Sequence, residues 1–156
     1  MVNVMCAVYP DLFSACSAYS GVPAGCMAGS PGFSPLTADP NCANGKIKKS
    51  GEQWAQQVKS FHSDYTGDYP RFMTWHGAAD TFVSYLNLAE QVKQWSTLHG
   101  VSWVKNVTNS PENRYTQMVY GDGVKFVAYS VQGVAHPVPV HEAVDLAWFG
   151  FGGVGL

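Results

Sequence analysis

Apolar positions along the chain follow two spacings, and the switches between them mark the elements. Residues 1 to 8 place Met1, Val4, Met5 and Val8 at helical intervals, and Pro10 forces an end before Tyr9. No Ser, Thr, Asp or Asn stands before Met1 to cap that helix, so it reads as a helix whose start lies further upstream. Tyr9 to Phe13 is a turn, and Ser14 to Tyr19 is a short buried strand ending at Ser20-Gly21. Ser50 with Gln53 three residues on is a capping-box pattern, and Trp54, Val58 and Phe61 form the buried stripe of the helix it opens. The run Phe72-Met73-Thr74-Trp75, between Pro70 and Gly77, has the shape of a buried strand in a parallel sheet. A small-residue turn, Gly77-Ala78-Ala79, then presents Asp80 ahead of a helix from about Leu86 to Leu98, whose apolar face is Leu88, Val92 and Trp95 and whose stop is Gly100. Strands follow at 101 to 107 and 114 to 120, split by the turn at Asn109 to Asn113. Gly121-Asp122-Gly123 signals a hairpin into a strand from Lys125 to Val131, which leads to Gly133-Val134-Ala135-His136-Pro137. A last helix, Val140 to Phe149, is expected to bury Val140, Val144, Ala147 and Trp148, before a glycine-rich tail. No internal repeat is present.

Residues 21 to 50 interrupt this order with a long stretch dense in Gly, Pro, Ser and Asn, which a compact domain must tie down. Cys26 and Cys42 lie in its polar, turn-rich part, where a disulfide is favoured over two free buried thiols. Closing residues 26 to 42 is worth on the order of 3 kcal/mol in the chain-entropy view. Cys6 and Cys16 sit in apolar segments and read as core.

Composition narrows the class. The 156 residues are 46% hydrophobic and 13% charged, so one packed domain is expected and disorder is excluded. A net charge of −2 offers no basic footprint for nucleic acid, and no apolar run reaches membrane-spanning length. Four cysteines and the sequon Asn106-Val107-Thr108 point to a secreted glycoprotein. The start, MVNVMCAVYP, is no signal peptide, so the expectation is a mature or shortened secreted chain.

Asp80 and His136 each follow a strand, in the loops where α/β sheets collect chemistry. An Asp orienting a His that acts as general base is one half of nucleophilic hydrolase chemistry, and the order acid then histidine fits the α/β-hydrolase plan. The plan also needs a serine on a sharp turn. Ser20 lacks the preceding glycine, and Ser30 is followed by Pro31, so neither fits. Taken singly, Asp80 is as well explained as a turn cap and His136 as a structural histidine. His76 reads as a local packing residue, and His62 and His99 as helix-end cations. Trp54, Trp75, Trp95 and Trp148 read as core, whereas Trp103 and Tyr69 are candidates to stack on sugar. A metal site on His141-Glu142-Ala143-Val144-Asp145 is the rival chemistry, with His141 and Asp145 on one helix face and no third ligand in view.

The chain resembles the C-terminal half of the fungal acetylxylan esterases of carbohydrate esterase family 1, a group that includes feruloyl esterases and polyhydroxybutyrate-depolymerase-like enzymes. The resemblance is carried by Met1 to Met5 with Tyr9 to Phe13, by Ala18-Tyr19-Ser20-Gly21-Val22-Pro23-Ala24-Gly25-Cys26, and by Trp75-His76-Gly77-Ala78-Ala79-Asp80. It continues through Asn87 to Glu90, Lys93 to Trp95, Lys105 to Asn109, Met118 to Gly123 and Asp145 to Gly150. It implies an α/β-hydrolase fold in which residues 1–150 supply the C-terminal part of one catalytic domain, a parallel sheet with flanking helices lacking its first strands, and 151–156 a tail. Asp80 is the implied triad acid, His136 the base, and Cys26–Cys42 a shared disulfide. Ala135 departs from the glycine usual before that histidine. The nucleophilic serine is implied a few residues before Met1, so the chain alone would be inactive. The implied activity is acyl-enzyme hydrolysis of acetyl esters on xylan by a secreted, monomeric enzyme without cofactor or metal, and with no nucleic-acid or membrane partner. Feruloyl ester hydrolysis and a non-catalytic carbohydrate-binding remnant are the alternatives.

Overall fold

A mixed sheet of β1 (Ala15–Tyr19), β2 (Arg71–Gly77), β3 (Trp103–Thr108), β4 (Tyr115–Tyr120) and β5 (Phe126–Val131) forms the centre of the computed structural model, which describes residues 1–28 and 39–152. Ser30 and residues 153–156 lie outside that description. The strand order is β1-β2-β5-β4-β3. The β1–β2 and β2–β5 pairs are parallel, whereas β5–β4 and β4–β3 are antiparallel. The parallel sheet that the resemblance implied is thus limited to β1, β2 and β5, and the hairpin expected at Gly121-Asp122-Gly123 adds β4 antiparallel to them, with β3 beyond it. The reason is connection length: the turns between β3 and β4 and between β4 and β5 are too short for a crossover and permit only hairpins.

The helices expected from periodicity form as α1 (Val2–Val8), α3 (Gly51–Phe61), α4 (Leu86–His99) and α5 (Glu142–Trp148); a one-turn α2 (Pro40–Ala43) lies inside the long loop. Ser50 and Gln53 make the full capping box at the start of α3. Alternation along the strands sorts the core into two layers. Cys16, Ala18, Phe72, Phe126 and Ala128 pack with Val58, Leu88 and Trp95 on the side covered by α1, α3 and α4. Met73, Trp75, Val127, Tyr129 and Val131 face the other way, with Val144 and Trp148 of α5 against them. That last helix buries less than expected. Val140 is exposed, Ala147 is exposed, and no residue of α5 is fully buried. It is anchored by polar bonds instead: Arg71 Nη2 donates to the Trp148 carbonyl at 2.8 Å, and Trp148 Nε1 to that of Cys16 at 3.0 Å.

The long loop is held by the polar side of α4, which the apolar stripe Leu88, Val92 and Trp95 does not reveal. Gln94 bonds both backbone groups of Ala24, at 2.8 and 2.9 Å. Gln91 Nε2 donates to the Gly21 carbonyl, and Asn87 Nδ2 to those of Cys42 and Ala43. Asn87, Glu90, Gln91 and Gln94 are all buried, and each has a partner because an unpaired buried amide or carboxylate would cost more than it stabilises.

Both cysteine pairs are bonded, Cys26 to Cys42 and Cys6 to Cys16. The second corrects the reading of Cys6 and Cys16 as core thiols: α1 packs on β1 and brings them together, a proximity that apolar flanks conceal. Replacing Cys26 and Cys42 together by Ser is expected to cost about 3 kcal/mol of stability, because it frees the loop between them. A change below about 1 kcal/mol in urea unfolding would show that α4 alone holds the loop.

His99 is not the helix-end cation expected. Burial, reinforced by the nearby Lys125 charge, pulls its pKa down to about 4, so it is neutral in the fold. In the unfolded chain it titrates near the ordinary histidine value of about 6.5. Its contribution to stability is therefore full above about pH 6.5 and declines, by up to about 3 kcal/mol, as the pH falls towards 4. Unfolding midpoints for the protein and for His99→Gln should diverge between pH 7 and pH 4.5, with the variant losing less; parallel curves would refute this.

Candidate active site

Parallel pairing of β2 with β5 brings the two candidate residues together. Both strands end at the same edge of the sheet, Gly77 beside Val131, so the loops that follow them emerge side by side. The loops then fuse through backbone bonds: Ala78 N donates to the Val131 carbonyl at 2.8 Å, and Ala79 N to that of Val134 at 3.0 Å. Gly77 makes this approach possible. A Cβ built there would lie 2.2 Å from the Val134 carbonyl oxygen and 2.8 Å from that of Ala135, so only glycine fits. Ala135, by contrast, is not among the residues with positive φ, so alanine adds no backbone strain before His136.

Asp80 is 5% exposed, and each of its carboxylate oxygens has a separate task. Oδ1 accepts from the backbone N–H groups of Phe82 and Val83, at 3.0 and 2.8 Å. Oδ2 lies 2.9 Å from His136 Nδ1. A carboxylate fixed in this way only accepts, so His136 Nδ1 carries the proton and Nε2 is left with its lone pair. The His136 side chain is 30% exposed. The pair thus has the geometry of an oriented general base. Asp80 does cap its own turn, and the same carboxyl group also holds His136.

His76 sits beneath them, fully buried. Its Nε2 donates to the Val83 carbonyl at 3.0 Å and lies 3.5 Å from Asp80 Oδ2. Burial pushes its pKa down, so it braces the Asp80 turn as a neutral ring, edge-on to Tyr85. Ser20, at positive φ, is buried, and its Oγ accepts from Val138 N at 3.0 Å, tying the end of β1 to the histidine loop. It is a positioning residue. Among the described residues no serine hydroxyl is bonded to His136.

The rival metal site does not assemble. Asp145 accepts from Ser17 Oγ at 2.7 Å and from Tyr19 OH at 3.0 Å, and burial keeps the Tyr19 phenol protonated as a donor. The His141 ring stacks on Trp75 and meets the edge of Tyr115. Among the described residues no three His, Cys, Asp or Glu side chains converge as a metal site. Of the two sugar-stacking candidates, Trp103 is 58% exposed on β3 and Tyr69 is half-buried against Tyr65.

A mixed α/β sheet carrying a carboxylate–histidine pair on adjacent loops defines the class. Comparison with known proteins narrows it: the chain is homologous to fungal feruloyl and acetylxylan esterases. It is 47% identical over 150 residues to feruloyl esterase B of Talaromyces funiculosus, covering 96% of this chain and 42% of that protein. It is 36% identical over 158 residues to acetylxylan esterase A of Aspergillus awamori, covering 97% and 50%. A solved acetyl xylan esterase from Aspergillus awamori superposes with a TM-score of 0.90 at 35% identity, over 96% of this chain and 55% of that one. The chain thus spans about half the length of the relatives it matches. No family model matches it.

Proposed function

We propose that the polypeptide containing this chain is a secreted serine carboxylesterase that removes acyl groups from a plant cell-wall polysaccharide such as xylan. Residues 1–150 are the C-terminal part of its α/β-hydrolase catalytic domain. In this reading the nucleophilic serine and the oxyanion-hole amides are supplied by a part of that polypeptide upstream of Met1. The observation that carries this reading is the Asp80–His136 bond at 2.9 Å, with the second Asp80 oxygen fixed by two amides, in a chain homologous to esterases.

In this mechanism the serine hydroxyl attacks the ester carbonyl while His136 Nε2 takes its proton. The tetrahedral intermediate collapses as Nε2 gives that proton to the departing sugar oxygen, leaving an acyl-enzyme. Water, deprotonated by the same nitrogen, then attacks the acyl-enzyme, and Nε2 returns the proton to the serine oxygen as the acid departs. Asp80 stabilises the imidazolium formed in each half.

The acyl group has two readings. The 47% identity to a feruloyl esterase against 36% to an acetylxylan esterase favours feruloyl, and the solved neighbour with TM-score 0.90 favours acetyl. Secretion is supported by the two disulfides. Asn106, the proposed glycan acceptor, lies on the exposed β3, where its Oδ1 takes the Trp103 indole N–H at 2.9 Å.

The test is ester release by the complete polypeptide from acetylated and feruloylated xylan, with and without a serine-reactive fluorophosphonate. Release blocked by that reagent and unaffected by a chelator is expected. Polysaccharide binding without release would favour the non-catalytic reading, and loss with a chelator a metal hydrolase.

A further inference from the structure

Phe82 is 75% exposed, although a buried phenyl ring is worth about 1.5–3 kcal/mol to a fold. Its place is nonetheless fixed. Its N–H donates to Asp80 Oδ1, and its ring centroid lies 5.1 Å from that of His136, tilted by 47°. A solvated turn between Asp80 and α4 has no local need for an aromatic residue, and the ring adds nothing to either core layer.

Its neighbour decides what it would meet. His136 Nδ1 is committed to Asp80, so every proton in the proposed reaction passes through Nε2. The departing oxygen must come within hydrogen-bond reach of that nitrogen, about 3 Å. The alcohol that carries it is therefore the part of the substrate closest to His136, whereas the acyl group extends from the far side of the carbonyl carbon. Phe82 is the exposed aromatic ring beside His136, the side chain that the alcohol must approach. We infer that Phe82 is a sugar-binding residue, its ring stacking on the C–H face of the neutral pyranose whose hydroxyl is the leaving group. The inference rests on the esterase reading above. It assigns the polysaccharide side of the site to a residue two positions after the acid.

The experiment compares Phe82→Ala, Phe82→Trp and His136→Ala in the complete polypeptide. Two substrates are used: an acylated xylo-oligosaccharide, and the methyl ester of the same acid, which has no sugar. Phe82→Ala should lower kcat/KM on the oligosaccharide ester by about tenfold, chiefly through KM, and change the methyl ester less than about twofold. Phe82→Trp should restore most of the loss. Equal loss on both substrates with a lowered Tm would overturn the inference by making the ring a packing element. Loss on the methyl ester alone would place it on the acyl side, and no loss on either would remove it from the site; both also overturn it. His136→Ala separates the two levels. If that variant stays active the esterase mechanism fails, whereas an inactive His136→Ala beside an indifferent Phe82→Ala refutes the sugar contact alone.

Discussion

Asp80→Asn in the complete polypeptide is expected to lower kcat by about 10⁴-fold with little loss of stability. The size follows from how the carboxyl group is held. The N–H groups of Phe82 and Val83 both donate to Oδ1, so the oxygen of an asparagine amide must occupy that position. Its NH2 is then left facing His136 Nδ1, where Oδ2 stood at 2.9 Å. An NH2 group donates and cannot accept, so the imidazole proton moves to Nε2. The nitrogen that should receive the serine proton is then already protonated. The variant keeps the turn, the fold and the substrate site, and loses the working tautomer and the charge that stabilises the imidazolium. The checks are steady-state kinetics with thermal unfolding, and nitrogen NMR of the His136 ring, which should report the opposite tautomer. Activity within tenfold of the unsubstituted enzyme would dismiss Asp80 as the acid.

Gly77→Ala is expected to cost at least about 100-fold in kcat/KM and about 2–3 kcal/mol in stability. The added methyl would sit 2.2 Å from the Val134 carbonyl oxygen and 2.8 Å from the carbonyl carbon, both backbone atoms that cannot rotate away. Relief requires the histidine loop to move by the order of 1 Å. That stretches the Ala79–Val134 backbone bond and draws His136 away from Asp80. Because the same movement weakens the fold and misplaces the base, the two losses should appear together. A variant that unfolds normally and keeps its kcat/KM would show that the loops can separate without consequence. His76→Gln tests the layer beneath: it keeps a donor for the Val83 carbonyl and should be far milder.

Much of the fold was legible because its signals are local. The capping box at Ser50 and Gln53, the stripe Trp54, Val58 and Phe61, the apolar run before Gly77 and the hairpin at Gly121 to Gly123 each lie within a few residues, and each forms where the pattern places it. Asp80 and His136 were legible as candidates because both follow strands across small residues. The less successful expectations share the opposite property. The Cys6–Cys16 bond, the burial that keeps His99 neutral, and the clasp of α4 on Ala24 and Cys42 join segments whose closeness no spacing records. The last helix was expected to begin at Val140, but it begins at Glu142, so Val140 lies outside it and is exposed; Ala147 lies within it and is exposed as well, because helical periodicity does not record how closely a helix approaches the sheet.

The sequence by itself determined the order and type of the elements, the long loop that needs tying down, and the two residues fit to serve as acid and base. Backbone propensity, capping and side-chain period act over one or two turns and are written residue by residue. Only the tertiary structure decided that β2 and β5 are parallel neighbours, and that Asp80 therefore meets His136, 56 positions further along the chain. It also decided that the same carboxylate serves as turn cap and histidine partner, because that depends on where each of its two oxygens finds a donor, and a donor's position is a property of the packed loops.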